Sequence, residues 1–202
     1  MSEPVRLLTV TGPELAPWLN KLAELRIRVF RDFPYLYDGD PGYEADYLNT
    51  YLETDSSVCV LALDGDRLVG ASTGLPLSHE TDAFRRSFVE RGLDTDRIFY
   101  CAESVLLPAY RGQGLYKAFF NGREAHARQL GGFELAAFCA VVRPAEHPLR
   151  PHGYRSLEPV WQHFGYRPEP GLLAHFGWKD IDQPNETDKP MQFYLKPLET
   201  AL

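Results

Sequence analysis

The strongest constraint on this chain is an abrupt change of pattern between residues 98 and 131. IFYCAESVLL (98–107) is long, largely apolar, and bounded by Asp96 and Pro108, which predicts the strongest strand of the chain. Arg111, Gly112, Gln113 and Gly114 follow in a short loop, and a helical pattern runs from Gln113 to Leu130, where Gly131-Gly132 ends it. A strand that hands over to a helix through such a loop creates an anion site. The first-turn N–H groups at Gln113, Gly114, Leu115 and Tyr116 lack intrahelical partners, and the helix dipole adds to their pull on a phosphate. Glycines at 112 and 114 let a bulky pyrophosphate approach the backbone, and Arg111 and Lys117 add positive charge. The plainer alternative is a tight turn with no ligand. The segment is not a P-loop, because GxxxxGK[ST] is absent. Nor is it the dinucleotide fingerprint, which would need glycine where Lys117 stands.

Around this unit the chain reads as a regular alternation of elements. VRLLTV (5–10) predicts a first strand, and the apolar stripe from Leu15 to Phe30 predicts a helix opened by Pro13 and Glu14. A second helix is expected over 43–53, with Tyr43, Tyr47 and Tyr51 on one face through their four-residue spacing. Residues 57–63 and 67–75 read as a hairpin with its turn at Asp64-Gly65. A polar helical stretch follows over 79–92, with Phe84 and Phe88 as its apolar points. FELAAFCAVV (133–142) is apolar enough for a strand buried on both faces. A short helix over 156–164 and strands over 170–178 and 190–196, pairing as an antiparallel hairpin, complete the series. The fold class this implies is α/β, a mixed and mostly antiparallel central sheet with helices on both faces, in a single domain over 1–202.

Composition narrows the function. A net charge of -7 argues against a nucleic-acid binder and leaves room for a cationic substrate such as an amine. Cys59, Cys101 and Cys139 sit in separate apolar runs and read as buried free thiols of a reducing compartment. No Cys/His cluster or HExxH motif points to a metal, and no GxSxG elbow points to a hydrolase. No secretory leader and no membrane-spanning run is expected, so the chain reads as cytoplasmic.

The stretch VLLPAYRGQGLY resembles the central strand, loop and helix start of the GNAT superfamily of N-acetyltransferases. The family's pyrophosphate signature, (Gln/Arg)-x-x-Gly-x-(Gly/Ala), would fall on Arg111, Gly112, Gln113, Gly114, Leu115 and Tyr116, with Tyr116 departing from its last position. WQHFGY (161–166) is similar to the family's late short helix and its Gly-Phe. The phrases HPLRPHGYRSLEPVWQHFGY, FGWKDIDQP and ETDKPMQFYLKPL resemble acetyltransferase domains found beside carbon–nitrogen hydrolases in bacteria, which implies a bacterial chain.

The resemblance implies acetyl-CoA as acyl donor, no metal, and backbone contacts from Val105 and Leu107 to the pantetheine arm. It also implies a carboxylate on the central strand. Glu103, which interrupts the apolar run, is the candidate base for the amine, with an ion-paired structural role as its alternative. The family's usual acid, a tyrosine on the late helix, falls on Trp161, whose indole N–H can only donate a hydrogen bond. Tyr154 is then the candidate acid for the departing thiolate, with a packed aromatic ring as its alternative. The acceptor side is expected from Arg26, Arg28, the tyrosines at 35, 37, 43, 47 and 51, His147 and His152. The expected partner is a small-molecule amine, with a homodimer left open and neither nucleic acid nor membrane expected. A non-catalytic acyl-CoA-binding domain of the same fold, and a purely structural module, are the competing readings.

Overall fold

Residues 4–198 are described in a computed structural model of the chain. In chain order the elements are β1 (Arg6–Thr11), α1 (Leu19–Phe30), α2 (Pro41–Leu52), β2 (Val58–Asp64), β3 (Arg67–Pro76), α3 (Asp82–Glu90), β4 (Ile98–Tyr100) and β5 (Ser104–Leu106). Then come α4 (Leu115–Leu130), β6 (Leu135–Val141), α5 (Glu158–His163), β7 (Arg167–Lys179) and β8 (Glu186–Pro197). The sheet runs β1-β2-β3-β4-β6-β8-β7, with β5 paired to β3. Every described pairing is antiparallel except β4 with β6, which α4 connects as a crossover. The expected mixed, mostly antiparallel sheet is the one observed.

Alternation along the central strands divides the interior in two. Ile98, Tyr100, Ala137 and Cys139 face a core shared with Leu22 of α1, Leu48 of α2 and Phe88 of α3. Phe99, Ala136, Phe138 and Ala140 face the other side, with Phe120 and Ala127 of α4 and Trp161 of α5. Helices therefore cover both faces, and β6 is buried on both, as its composition implies.

Three expectations need correction. The helix predicted over 14–30 begins as a 3-10 helix, Gly12–Trp18, because Pro17 has no N–H for an α-helical bond; the α-helix starts only at Leu19. The helix after the glycine loop starts at Leu115 rather than Gln113, capped by Gly114 in the left-handed region at φ 82°. The strand predicted as continuous over 98–107 is broken. Tyr100 pairs with Leu75 and Ser104 with Ser72, so the three residues 101–103 oppose the two residues 73–74 of β3. This extra residue is a β-bulge, and it turns the chain away from β6. Cys101 still donates to the Ala137 carbonyl at 2.7 Å, but β5 pairs only with β3. The fully buried Arg123 of α4 lies beneath the break, where its Nη1 donates to the carbonyls of Glu103 (3.0 Å) and Thr73 (3.4 Å).

Candidate active site

The bulge opens a cleft between β5 and β6. Leu107 donates its N–H to Val69 at 2.9 Å, and the Glu103 carbonyl accepts from Thr73 at 3.1 Å. Antiparallel alternation turns Val105 toward β3 as well. The backbone groups left facing the cleft therefore belong to Ser104 and Leu106, not to Val105 and Leu107 as expected. The Leu106 carbonyl accepts from Arg111 Nε at 3.4 Å, which ties the loop to the cleft wall.

The glycine loop has the form that the sequence implies. Gly112 (φ 77°) and Gly114 (φ 82°) occupy the left-handed region, and a Cβ built at either would meet nothing within 4 Å. Open space thus lies directly over the amino end of α4. The first backbone bond there is Ala118 N–H to the Gly114 carbonyl, 3.2 Å, so the amides of residues 115–117 precede the helical ladder. Arg111, Gly112, Gln113 and Gly114 are exposed, while the Leu115 side chain is buried beneath them. Tyr116 bends away from this space: its hydroxyl accepts a hydrogen bond from the Trp161 indole at 3.1 Å. Its departure from the small-residue signature therefore leaves the loop unobstructed.

Two cavities meet at the break. The first has a volume of about 400 Å³ and lies among α1, α2, α3 and the ends of β7 and β8. The second, about 320 Å³, is walled by Tyr116, Phe120 and Arg123 of α4, by β6, and by the turn segment carrying Tyr154. Both are lined by Ala102, Glu103 and Cys139.

Glu103 is buried at this junction and ion-paired. Its Oε1 contacts Arg26 Nη1, and Arg26 Nε bonds Glu44 Oε2 at 2.5 Å. Burial alone would lower the Arg26 pKa, but Glu103 and Glu44 outweigh it and hold the guanidinium well above its ordinary value. The base reading and the structural reading of Glu103 thus share one geometry. From Glu103 Oε2 a hydrogen-bonded chain leads inward: Tyr47 hydroxyl at 3.4 Å, Tyr47 to Tyr51 at 2.8 Å, and Tyr51 to Glu80 Oε1 at 3.1 Å. Glu80 Oε2 accepts from Thr81 N–H at 3.2 Å. Burial pushes Glu80 up to about 7, against the opposing pull of those two donors. Burial also holds both tyrosines well above their usual range, so they stay neutral phenols at neutral pH.

The other candidates separate clearly. Tyr154 is half-buried, lines the second cavity, and packs edge-on against Phe33 at 4.7 Å with the Arg150 guanidinium 5.2 Å from its ring centre. Burial raises its phenol pKa. Arg26 and the tyrosines at 35, 37, 43 and 47 line the first cavity, and Tyr51 stands behind it. Arg28, His147 and His152 line neither of these two cavities. Glu44 and Glu80 carry no signal in the sequence; Glu44 on α2 is drawn inward by Arg26, and Glu80, in the turn before α3, by Tyr51. Cys59, Cys101 and Cys139 are free and buried. Cys139 is pushed up to about 12 by burial, which keeps the junction thiol protonated and poorly nucleophilic. Among the described residues no group of three or more His, Cys, Asp or Glu is arranged to hold a metal ion, and no helix is long and apolar enough to cross a membrane.

No family model matches the sequence, and no curated protein matches it. The fold does have solved counterparts. An acetyltransferase from Thermus thermophilus aligns with TM-score 0.56 and 15% identity over 98% of this chain and 100% of that one. NAA60 from Arabidopsis thaliana, in complex with a bisubstrate analogue, gives 0.60 and 10% over 97% and 100%. The loading GNATL domain of CurA from Lyngbya majuscula gives 0.60 and 14% over 97% and 98%. At these identities the likeness establishes the fold, which is that of the GNAT-superfamily acetyltransferases.

Proposed function

We propose that the chain transfers an acyl group, acetyl in the first instance, from acyl-CoA to a primary amine by direct attack in a ternary complex. The observation that carries this reading is the junction: two cavities, one beside the first turn of α4 and one on the opposite side of the break, share Ala102, Glu103 and Cys139. Gly112 and Gly114 would cradle the pyrophosphate, and the cleft-facing backbone of Ser104 and Leu106 would hold the pantetheine arm. Bound acyl-CoA supplies the thioester carbonyl, from which the acyl group passes to the amine nitrogen as the thiol leaves. The high pKa of Cys139 argues against an acyl-cysteine stage. Glu103 Oε2 receives the amine proton. Tyr47 can take that proton while passing its own to Tyr51, and Tyr51 can pass its own to Glu80, which becomes the neutral acid. Trp161 in the family's acid position favours the second reading, a domain that binds acyl-CoA without transfer.

Two measurements test the function. Acetyl-CoA is expected to raise the melting temperature of the parent most, of Gly114→Asn less because a side chain enters the phosphate space, and of Gly114→Asp not at all because it also sets a carboxylate against the phosphates. Both residues tolerate the left-handed backbone and have the same shape, so the difference between the two variants isolates charge. Amine-dependent thiol release must accompany the shift. A shift without release selects the binding-only reading, and equal shifts in both variants remove the phosphate site from the loop.

Tyr154 is our proposed proton donor to the departing thiolate. Tyr154→Phe is expected to lower turnover by roughly ten- to a hundredfold with acetyl-CoA affinity unchanged. Normal turnover would remove it from this role. A second phenol of this cavity, Tyr116, would then be tested in the same assay, since the Trp161 indole holds its oxygen and leaves its proton free to donate.

A further inference from the structure

We infer that the acceptor is a primary amine carried on a flat apolar body with no carboxylate beside the amine: a decarboxylated aromatic amine rather than its parent amino acid. This deepens the acyl-transfer reading and rests on it.

The first cavity is an aromatic box. Phe30 of α1 and Tyr35 lie 4.6 Å apart, Tyr35 stacks with Trp178 at 6.2 Å, and Phe84 packs on Phe176 at 4.4 Å. These rings come from α1, α3, β7 and the loop after α1, and Tyr47 of α2 closes the wall next to Glu103. Such a surface favours a planar apolar group. Its ring faces also attract an ammonium.

The charges are equally specific. Five carboxylates line the cavity, Asp38, Asp40, Glu44, Glu103 and Glu186, against two cations, Arg26 and Lys179. Neither cation is free for a substrate anion. Arg26 is held by Glu44 and Glu103, and Lys179 bonds Asp38 at 2.8 Å. A carboxylate on the acceptor would enter an acidic box in which both lining cations are already paired, and like charges brought together there oppose binding. A protonated amine is drawn into the same field. The second cavity is less acidic: Arg123, Arg143 and Arg150 stand against Glu103 and Glu158, with Arg143 paired to Asp180 and Arg123 bonded to two carbonyls. The more acidic side of the break is therefore the first cavity, the side suited to a cationic acceptor. At about 400 Å³ the box also lies at the small end of ligand pockets, which fits a single-ring amine.

Calorimetric titration of the full chain, with and without saturating acetyl-CoA, tests this with three probes. These are 2-phenylethylamine, phenylalanine (the same body with a carboxylate), and butylamine (an amine without the ring). Phenylethylamine is expected to bind at least about tenfold tighter than phenylalanine, and tighter than butylamine. Equal or tighter binding of either comparison probe overturns the inference, as does the absence of phenylethylamine binding. Failure of the transferase reading has a different signature. The ranking of the three probes would persist while acetyl-CoA gave neither a melting shift nor thiol release, so that the pocket assignment stood without the transfer.

Discussion

Glu103→Gln is expected to lower turnover with a matched amine by about a hundredfold, within the range a positioned acid or base contributes. Acetyl-CoA affinity should be unchanged, because the glycine loop and the cleft-facing backbone of β5 do not involve the Glu103 side chain. The amide keeps the volume of the carboxyl and can still accept a hydrogen bond from Arg26, but it has no basic oxygen for the amine proton. A purely structural role would appear differently, as a lower melting temperature with turnover per folded molecule preserved. The pH–rate profile separates the two: loss of a base flattens the rise of turnover with pH, whereas loss of an ion pair does not. Unchanged turnover and an unchanged profile would leave Glu103 as no more than the partner of Arg26.

The second large effect concerns Glu80. Its carboxyl moves from an ordinary 4.5 to about 7 in the folded chain, chiefly through burial. The folded state therefore keeps a proton that the unfolded state releases between these values. Stability falls as pH rises from about 4.5 to about 7, and the cost is fully present above that. A shift of this size corresponds to about 3 kcal/mol. Tyr51 and Thr81 face Glu80 as donors, and Glu103 and Arg26 are the nearby charges, with opposing influences on it. Glu80→Gln cannot ionise. Relative to the parent, the variant is expected to gain about 3 kcal/mol between pH 4.5 and pH 8, as read by urea denaturation at the two values. A difference between variant and parent that stays constant with pH would mean that Glu80 does not titrate in this window.

Much of the frame was legible because it depends on local pattern. The strand–loop–helix unit announces itself through Pro108, Gly112 and Gly114, and the stripe of tyrosines on α2 follows from spacing alone. The break at 101–103 was not legible. The run contains neither glycine nor proline, and the bulge arises from the register of β4 and β5 on β3 and from Arg123, twenty residues further on, meeting the Glu103 carbonyl. Only the acidic residue inside the run hinted at it. Glu80 was invisible for a related reason, since its burial depends on Tyr51, 29 residues away. The exchange of Val105 and Leu107 for Ser104 and Leu106 is a matter of parity. A one-residue bulge decides which alternate amides face a neighbour, and sequence carries no sign of that phase.

The guanidinium of Arg123 has a consequence for how ligands are admitted. Sealed under the break and bonded to two carbonyls, it fixes the aperture between β5 and β6 within the folded chain itself. The opening is then built into the folded chain, and a ligand entering it need not spend binding energy on prising the strands apart. Preorganisation of this kind lowers the ordering entropy lost on association. The walls of the first cavity come mainly from α1, α2, α3 and β7 and those of the second mainly from α4, α5 and β6, and the two meet at Phe30, Tyr35, Ala102, Glu103 and Cys139.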